Sequence, residues 1–427
     1  MNAGIATSAA RATPFPVEAL RSQFPALQRP GAGIFFDNAA GAQIPRRVLD
    51  AVTRHLLEHN VQRGGRYPQS QAVDRSIGHA RASLAAFVNA RRPEEIAFGM
   101  NATSFIRLMS LAIGQTLNPR DEIVVTDLDH EANIATWLAL APLGAKFRWW
   151  HMRPDGCLHA DDLRPLLTSR TRLVACALTS NALGSILDAR AAADLAHAAG
   201  AEIFLDAVHY GPHGPIDVRA LDCDYLVCSG YKIFAPHMGF MWGRYELLVR
   251  LPTFREDFIP DEPPGKIEAG TFIYENVAGM AAAIDYLAEL GRRVAGRRGP
   301  PEPQTLREDT HAAMAAIQAY EQTLSHELLR VLRDCGAQVY GIRDERRLDE
   351  RVPTACFNLP GVPPARVTEA AAAAGIGIRD GHMYSPRLMQ RLGVAVETGV
   401  VRASLVHYNT RAEIEELRAV LKGLLPG

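Results

Sequence analysis

From Glu95 to Trp242 short apolar runs alternate with Ala-rich, helix-patterned stretches, and that alternation constrains the fold more than any other feature of the chain. The predicted strands are Glu95–Phe98, Glu122–Leu128, Lys146–His151, Arg172–Leu178, Glu202–Asp206, Tyr225–Cys228 and Gly239–Trp242. Several are apolar nearly throughout, as strands covered on both faces by helices must be. Predicted helices such as Ala80–Val88, Ser104–Ile113 and Ala191–Ala199 lie between them. Strands alternating with helices build a mainly parallel α/β sheet, here one of seven strands.

After about residue 275 the pattern changes. Glu275–Leu290 reads as one long helix, Arg292–Pro303 as a solvated basic loop, and Glu308–Cys335 as a second helix. Strands and helices alternate again from Gln338 to Leu425, enough for a smaller C-terminal α+β domain. Three parts are expected: an N-terminal segment at 1–30 that packs partly on the small domain, a large domain at 31–290 and the small domain at 291–427. Met1–Thr13 carries no secretory pattern and is expected to be a mobile end of a cytoplasmic protein.

A formal net charge of −1 gives no reason to expect nucleic acid or a membrane surface as partner. No apolar run approaches the roughly 20 residues of a membrane span. The cysteines at 157, 176, 223, 228, 335 and 356 form no CxxC pair, so neither a metal site nor a disulfide framework is expected. Cys176 and Cys228 lie in strand-like runs and read as small buried hydrophobes.

Two stretches close apolar runs with chemistry-bearing side chains. Asp206-Ala207-Val208-His209 follows Ala201–Leu205, and Ser229-Gly230-Tyr231-Lys232 follows Asp224–Cys228. An aspartate in such a place is often a helix N-cap. The carboxyl end of a strand is also where open α/β sheets bind ligands. A lysine set among apolar neighbours loses proton affinity and becomes nucleophilic toward carbonyls. A carboxylate at one strand end and a lysine at another meet the needs of a pyridoxal phosphate enzyme: the lysine bonds the cofactor aldehyde, and the carboxylate keeps the pyridine nitrogen protonated. Ser229 is small enough to lie against a phosphate, and His209 is a candidate partner for the phenolic oxygen.

Three further stretches fit that reading. Phe98-Gly99-Met100-Asn101-Ala102-Thr103-Ser104 joins a strand to a helix, where the free amides of Ala102 and Thr103 would meet a phosphate. His130 follows the strand that ends at Leu128, placed to stack on a pyridine ring and to take part in proton transfer. Asn181, in Ser180-Asn181-Ala182-Leu183-Gly184, offers an amide to the same ring.

In this order the motifs resemble the class V aminotransferases of the cysteine desulfurase group, across roughly residues 33 to 420. Phe36-Asp37-Asn38-Ala39-Ala40 is similar to the family's opening motif, and Arg402-Ala403-Ser404-Leu405 through Tyr408-Asn409-Thr410 to its closing one. The resemblance implies a fold-type I pyridoxal phosphate enzyme. In it Lys232 is the Schiff-base lysine, Asp206 the pyridinium partner and His130 the stacking histidine. His209 stands where the family usually has Gln, and Tyr231 where it has His. Asn60-Val61-Gln62-Arg63-Gly64 and Glu268-Ala269-Gly270-Thr271 match segments at the family's subunit boundary. The resemblance therefore implies a homodimer with shared active sites, in which Thr271 reaches the neighbour's phosphate. Arg379, in Ile378-Arg379-Asp380-Gly381-His382, matches the arginine that holds the substrate carboxylate. His382, Tyr384 and Arg63 complete the expected substrate side.

One departure bears on the reaction. The desulfurases carry a nucleophilic cysteine just after that arginine motif; here the stretch is His382-Met383-Tyr384-Ser385-Pro386, with no cysteine between Cys356 and the C-terminus. A persulfide relay needs a thiolate there. The expected function is action on an amino acid, a small-molecule substrate: carbon–sulfur cleavage of cysteine or a cysteine derivative without a persulfide cysteine. A class V aminotransferase or isopenicillin N epimerase-like enzyme is the alternative, and a non-catalytic pyridoxal phosphate-binding protein a third reading.

Overall fold

All seven apolar runs enter one sheet. The computed structural model describes residues 15–119, 121–300 and 302–425; the segment Met1–Thr13, expected to be a mobile end, lies outside them. The strands are β1 (Ile34–Phe35), β2 (Ile96–Gly99), β3 (Glu122–Thr126), β4 (Lys146–Trp150), β5 (Thr171–Ala177), β6 (Glu202–Asp206), β7 (Tyr225–Ser229) and β8 (Gly239–Gly243) in the first part of the chain. β9 (Gln338–Tyr340), β10 (Thr354–Asn358), β11 (Ile376–Gly377), β12 (Arg379–Gly381) and β13 (Val400–Ser404) follow.

The large sheet has the order β2-β8-β7-β6-β5-β3-β4. Its pairs from β7 through β6, β5 and β3 to β4 are parallel, and β8 runs antiparallel to both of its neighbours. Every residue of β3, β7 and β8 is buried, which is why these strands read as unbroken apolar runs. The register sets Asp206 at the end of β6 beside Ala177 of β5 and Val227 of β7. The carboxyl ends of these strands thus open onto one place.

The second sheet is antiparallel, in the order β12-β13-β10-β9. It packs with the long helix Leu306–Asp334 and the helix Arg411–Gly423 around Leu324, Leu328, Phe357, Val401 and Leu417. Phe36 belongs to this core, and β1 pairs in parallel with β11. The chain therefore crosses from one core to the other directly before Asp37. Asn38 secures the crossing: its amide donates to Phe35 O at 2.7 Å and Ser404 O at 2.9 Å, and it accepts from the Tyr408 hydroxyl. Nearer the N-terminus, Arg21 pairs with Glu413 at 2.8 Å and Phe15 stacks on Tyr320 with centroids 4.5 Å apart.

The basic stretch at 292–303 differs from its expected form at its start, while its residues from 295 to 300 are mostly exposed turn and loop. The helix Tyr274–Val294 continues through Arg292, which is buried, donates to Arg298 O at 2.7 Å and pairs with Asp309 at 3.3 Å. A carboxylate on the next helix, far off in sequence, draws this guanidinium inward. No helix among the described residues is long and apolar enough to cross a membrane.

Candidate active site

A cavity of about 570 Å³ opens at the carboxyl ends of β5, β6 and β7. Its size is that of a typical small-molecule site. Lys232, Asp206, His130, His209, Asn181 and Ser229 all line it. So do Ala102, Thr103, Tyr231, Arg379 and Tyr384, which brings together eleven of the expected residues.

One end of the cavity is the N-terminus of the helix Ala102–Gly114. Asn101 caps it by accepting from Ser104 N at 2.8 Å, and Ser104 reciprocates to Asn101 N at 3.2 Å. Ala102 N donates to Ser229 Oγ at 3.2 Å, which ties the helix to the lysine loop. Gly239 in β8 makes this approach possible. A Cβ there would lie 2.6 Å from Asn101 C and 2.7 Å from its Cα. The result is a row of backbone donors and a hydroxyl at the positive end of a helix dipole, suited to a phosphate.

The middle of the cavity holds polar groups with bonding capacity left over. Asp206 is 8% exposed, accepts from Val208 N at 2.9 Å and makes no ion pair among the described residues. Burial raises its pKa above the ordinary carboxylate value, and nearby Lys232 opposes that. A buried carboxylate in this condition calls for a cationic or N–H partner. His209 Nε2 meets Thr354 Oγ1 at 3.0 Å, while its Nδ1 is buried with no partner; Thr179 Oγ1 is in the same position. Burial holds His209 neutral by pushing its pKa well below normal.

Lysines occur at positions 146, 232, 266 and 422. Lys232 is 6% exposed and forms no ion pair among the described residues, whereas buried Lys266 is neutralised by Asp261 at 2.7 Å. Burial first, and the Arg402 cation second, bring the Lys232 pKa down to about 8, with Asp206 pulling the other way. An amine that is half neutral near physiological pH is a nucleophile. His130 is brought down to about 4 by burial, Lys232 and Arg402. Its Nδ1 accepts from Ala132 N at 3.1 Å, which assigns the proton to Nε2.

At the mouth Asp37 bridges two arginines. Its Oδ2 takes Arg379 Nη2 at 2.9 Å, and its Oδ1 takes Arg402 Nη2 at 2.9 Å. Arg402 was no part of the expected site, although its motif was. It is buried, lines the cavity, donates Nη1 to Asn181 O at 3.0 Å and leaves Nε unpartnered. His237, in the loop Pro236–Met238 expected to line the pocket, is also a wall residue, stacked on Tyr231 with centroids 5.1 Å apart. The Asn181 amide is committed elsewhere: Nδ2 donates to Met383 O at 2.8 Å and Oδ1 accepts from Ser385 Oγ at 3.2 Å.

Three expected residues do not line the cavity. Arg63 pairs with Asp74 at 3.3 Å, Thr271 accepts from Gln62 Nε2 at 2.6 Å, and His382 Nδ1 accepts from Tyr384 N at 3.1 Å. No cysteine lines it either, and all six are buried.

Taken together, a nucleophilic lysine, a lone buried carboxylate and a helix-end anion cradle fit pyridoxal phosphate, and with the sheet order they mark a fold-type I enzyme of that cofactor. Comparison with known proteins agrees. The model of the aminotransferase class-V family matches residues 34–299 and 306–417. The chain is 35% identical over 424 residues to the aminotransferase-like protein FGM3 of Gibberella zeae, covering 96% of this chain and 99% of that one. It is 33% identical to a probable cysteine desulfurase of Synechocystis sp., with 93% and 92% covered. The apo cysteine desulfurase of Thermococcus onnurineus NA1 superposes with a TM-score of 0.84 at 26% identity, over 96% of this chain and 98% of that one. The chain belongs to the class-V aminotransferase family and is a pyridoxal phosphate-dependent enzyme.

Proposed function

We propose that Lys232 holds the cofactor and that the enzyme cleaves a carbon–sulfur bond in cysteine or a cysteine derivative. The observation that carries this reading is the convergence of the Lys232 amine and the unpaired Asp206 carboxylate on one cavity whose far end is a helix N-terminus. Ala102, Thr103 and Ser229 would hold the phosphate, Asp206 the ring nitrogen, His209 Nδ1 the phenolic oxygen and His130 a ring face. Bound pyridoxal phosphate supplies an electron-withdrawing ring that acidifies the Cα–H bond of an amino acid joined to it.

The protein does the rest. Arg402 and Arg379, fixed by Asp37, hold the substrate carboxylate in paired, charge-assisted hydrogen bonds. Lys232 takes the Cα proton on Nζ. Neutral His130 keeps a proton on Nε2 for a departing group. With no thiol on the wall, sulfur leaves directly instead of passing onto the protein. The relatives named cysteine desulfurase favour carbon–sulfur cleavage over the alternatives. The same bare wall favours the alternative, an aminotransferase or isopenicillin N epimerase-like enzyme, which needs no thiol.

We also infer a cytoplasmic homodimer with shared sites. Phe254 is 88% and Phe258 81% exposed, more than a monomer gains from leaving such rings in water. Thr271 and Arg63 lie outside this chain's own cavity, where they are free to serve a neighbour's. The six unpaired thiols suit a reducing compartment.

Incubation with cysteine, cysteine sulfinate and S-substituted cysteines tests the reaction. Release of a sulfur species with alanine or pyruvate supports cleavage. Transfer of the amino group to a keto acid without sulfur release overturns it, and a cofactor spectrum unmoved by any amino acid points to a binding protein.

A further inference from the structure

The cavity adjoins a second chamber of about 500 Å³. The two share Ala40, Tyr231, His237 and Arg379 as walls. Beyond them small and apolar residues, among them Phe35, Gly41, Ala42, Ile44 and Pro236, line the second chamber, with the Asp37 carboxylate and Gln43 as its polar groups. Its floor is pinned to the lysine loop, because Ala42 N donates to Tyr231 O at 2.9 Å. The Tyr231 ring connects the two spaces. Its centroid lies 5.8 Å from Lys232 Nζ, and His237 stacks upon it at an interplanar angle of 11°.

The backbone of the opposite wall is held in place. Met383 and Tyr384 are adjacent non-glycine residues with φ of 53° and 57°. Such strained pairs persist only where the surroundings hold them. Here Tyr384 O accepts from Glu131 N at 2.8 Å, Met383 O from Asn181 Nδ2 at 2.8 Å, and Ser385 is fully buried. The Tyr384 ring lies against His130 with centroids 5.6 Å apart. A substrate side chain longer than that of cysteine meets the held Met383–Tyr384 backbone on this side and open space, with small apolar residues along part of its wall, on the other.

We propose that the second chamber is the side-chain subsite, and that the enzyme selects α-amino acids with extended, unbranched side chains, S-alkyl cysteines among them, over free cysteine. The proposal rests on the first cavity being the cofactor and amino-acid site. Each methylene drawn from water into such a chamber tightens binding about threefold to fourfold.

The test is binding to the purified holoenzyme, read from the cofactor's visible spectrum, for alanine, cysteine and S-methyl, S-propyl and S-pentyl cysteine. Affinity should climb at least tenfold from S-methyl to S-pentyl cysteine. A Cβ at Gly41 would sit 3.6 Å from Tyr231 Cδ2, an ordinary contact, so the position accepts the first side-chain atom of Gly41→Phe, whose ring is placed there to occupy the chamber. That variant should lose the climb while binding alanine within twofold of wild type; Ala42→Leu should halve it if Gly41→Phe does not fold. A flat response to length in a coloured enzyme, or equal weakening of alanine in the variant, overturns the subsite alone. A colourless protein that takes up no cofactor overturns the site reading and the subsite with it.

Discussion

Lys232 and Asp206 were legible as residues because each ends an apolar run, where a charged side chain must answer for its desolvation. The depressed Lys232 pKa has a kinetic consequence. Only the neutral amine attacks an aldehyde, so cofactor capture by the apoprotein should speed up with rising pH through a midpoint near 8. A midpoint near 10.5, measured by stopped-flow absorbance, would show the amine to be solvated. Asp206→Ala removes the carboxylate proposed to pair with the ring nitrogen. Exchange of the substrate Cα proton with heavy water should fall about a hundredfold, the loss of a buried charge partner of about 3 kcal/mol; exchange at the wild-type rate would remove Asp206 from the mechanism. Arg402 escaped notice because it sits mid-strand in β13 and reads as a sheet residue. Its importance comes from Asp37, at the far end of the chain, and no local pattern carries that. Thr271 came from resemblance alone, and the role proposed for it requires a second subunit.

At the scale of elements, the helix Ala102–Gly114 and β8 are fitted to each other through Gly239. Gly239→Ala would drive a methyl into the Asn101 backbone, so the cap must shift. A well-packed site resists such insertion by about 1–3 kcal/mol. The variant should bind pyridoxal phosphate at least tenfold more weakly by equilibrium absorbance titration, with unchanged far-ultraviolet circular dichroism. Unaltered affinity would show that this helix end does not hold the phosphate. The seven strands could be read because strands buried on both faces leave nothing but apolar residues to see. Their ends could not. The third predicted run extends to His151, while β4 stops at Trp150, and Glu122–Leu128 shortens to Thr126, whose hydroxyl instead receives Leu128 N and Asp129 N. Side-chain bonds of that kind compete with the ladder and leave no periodic trace.

For the whole molecule, the exposed Phe254 and Phe258 mark a face that a second copy should cover. Sedimentation at micromolar concentration should give twice the chain mass, and replacing both rings by Ser should shift it toward one. A single-chain mass for the wild type would leave Thr271 without a site to serve. The two cores are joined at Asp37 and Asn38, so the arginine pair at the mouth depends on how the parts meet, and this assembly lies beyond what any stretch of sequence displays. The central claim is that one amine of the four lysines carries the cofactor. Borohydride reduction of the holoenzyme followed by peptide mass mapping tests it most directly. The expected result is one reduced pyridoxal phosphate per chain, on the peptide containing Lys232 and absent from Lys232→Ala. Label on Lys146, Lys266 or Lys422 instead, or an unlabelled chain, would contradict it.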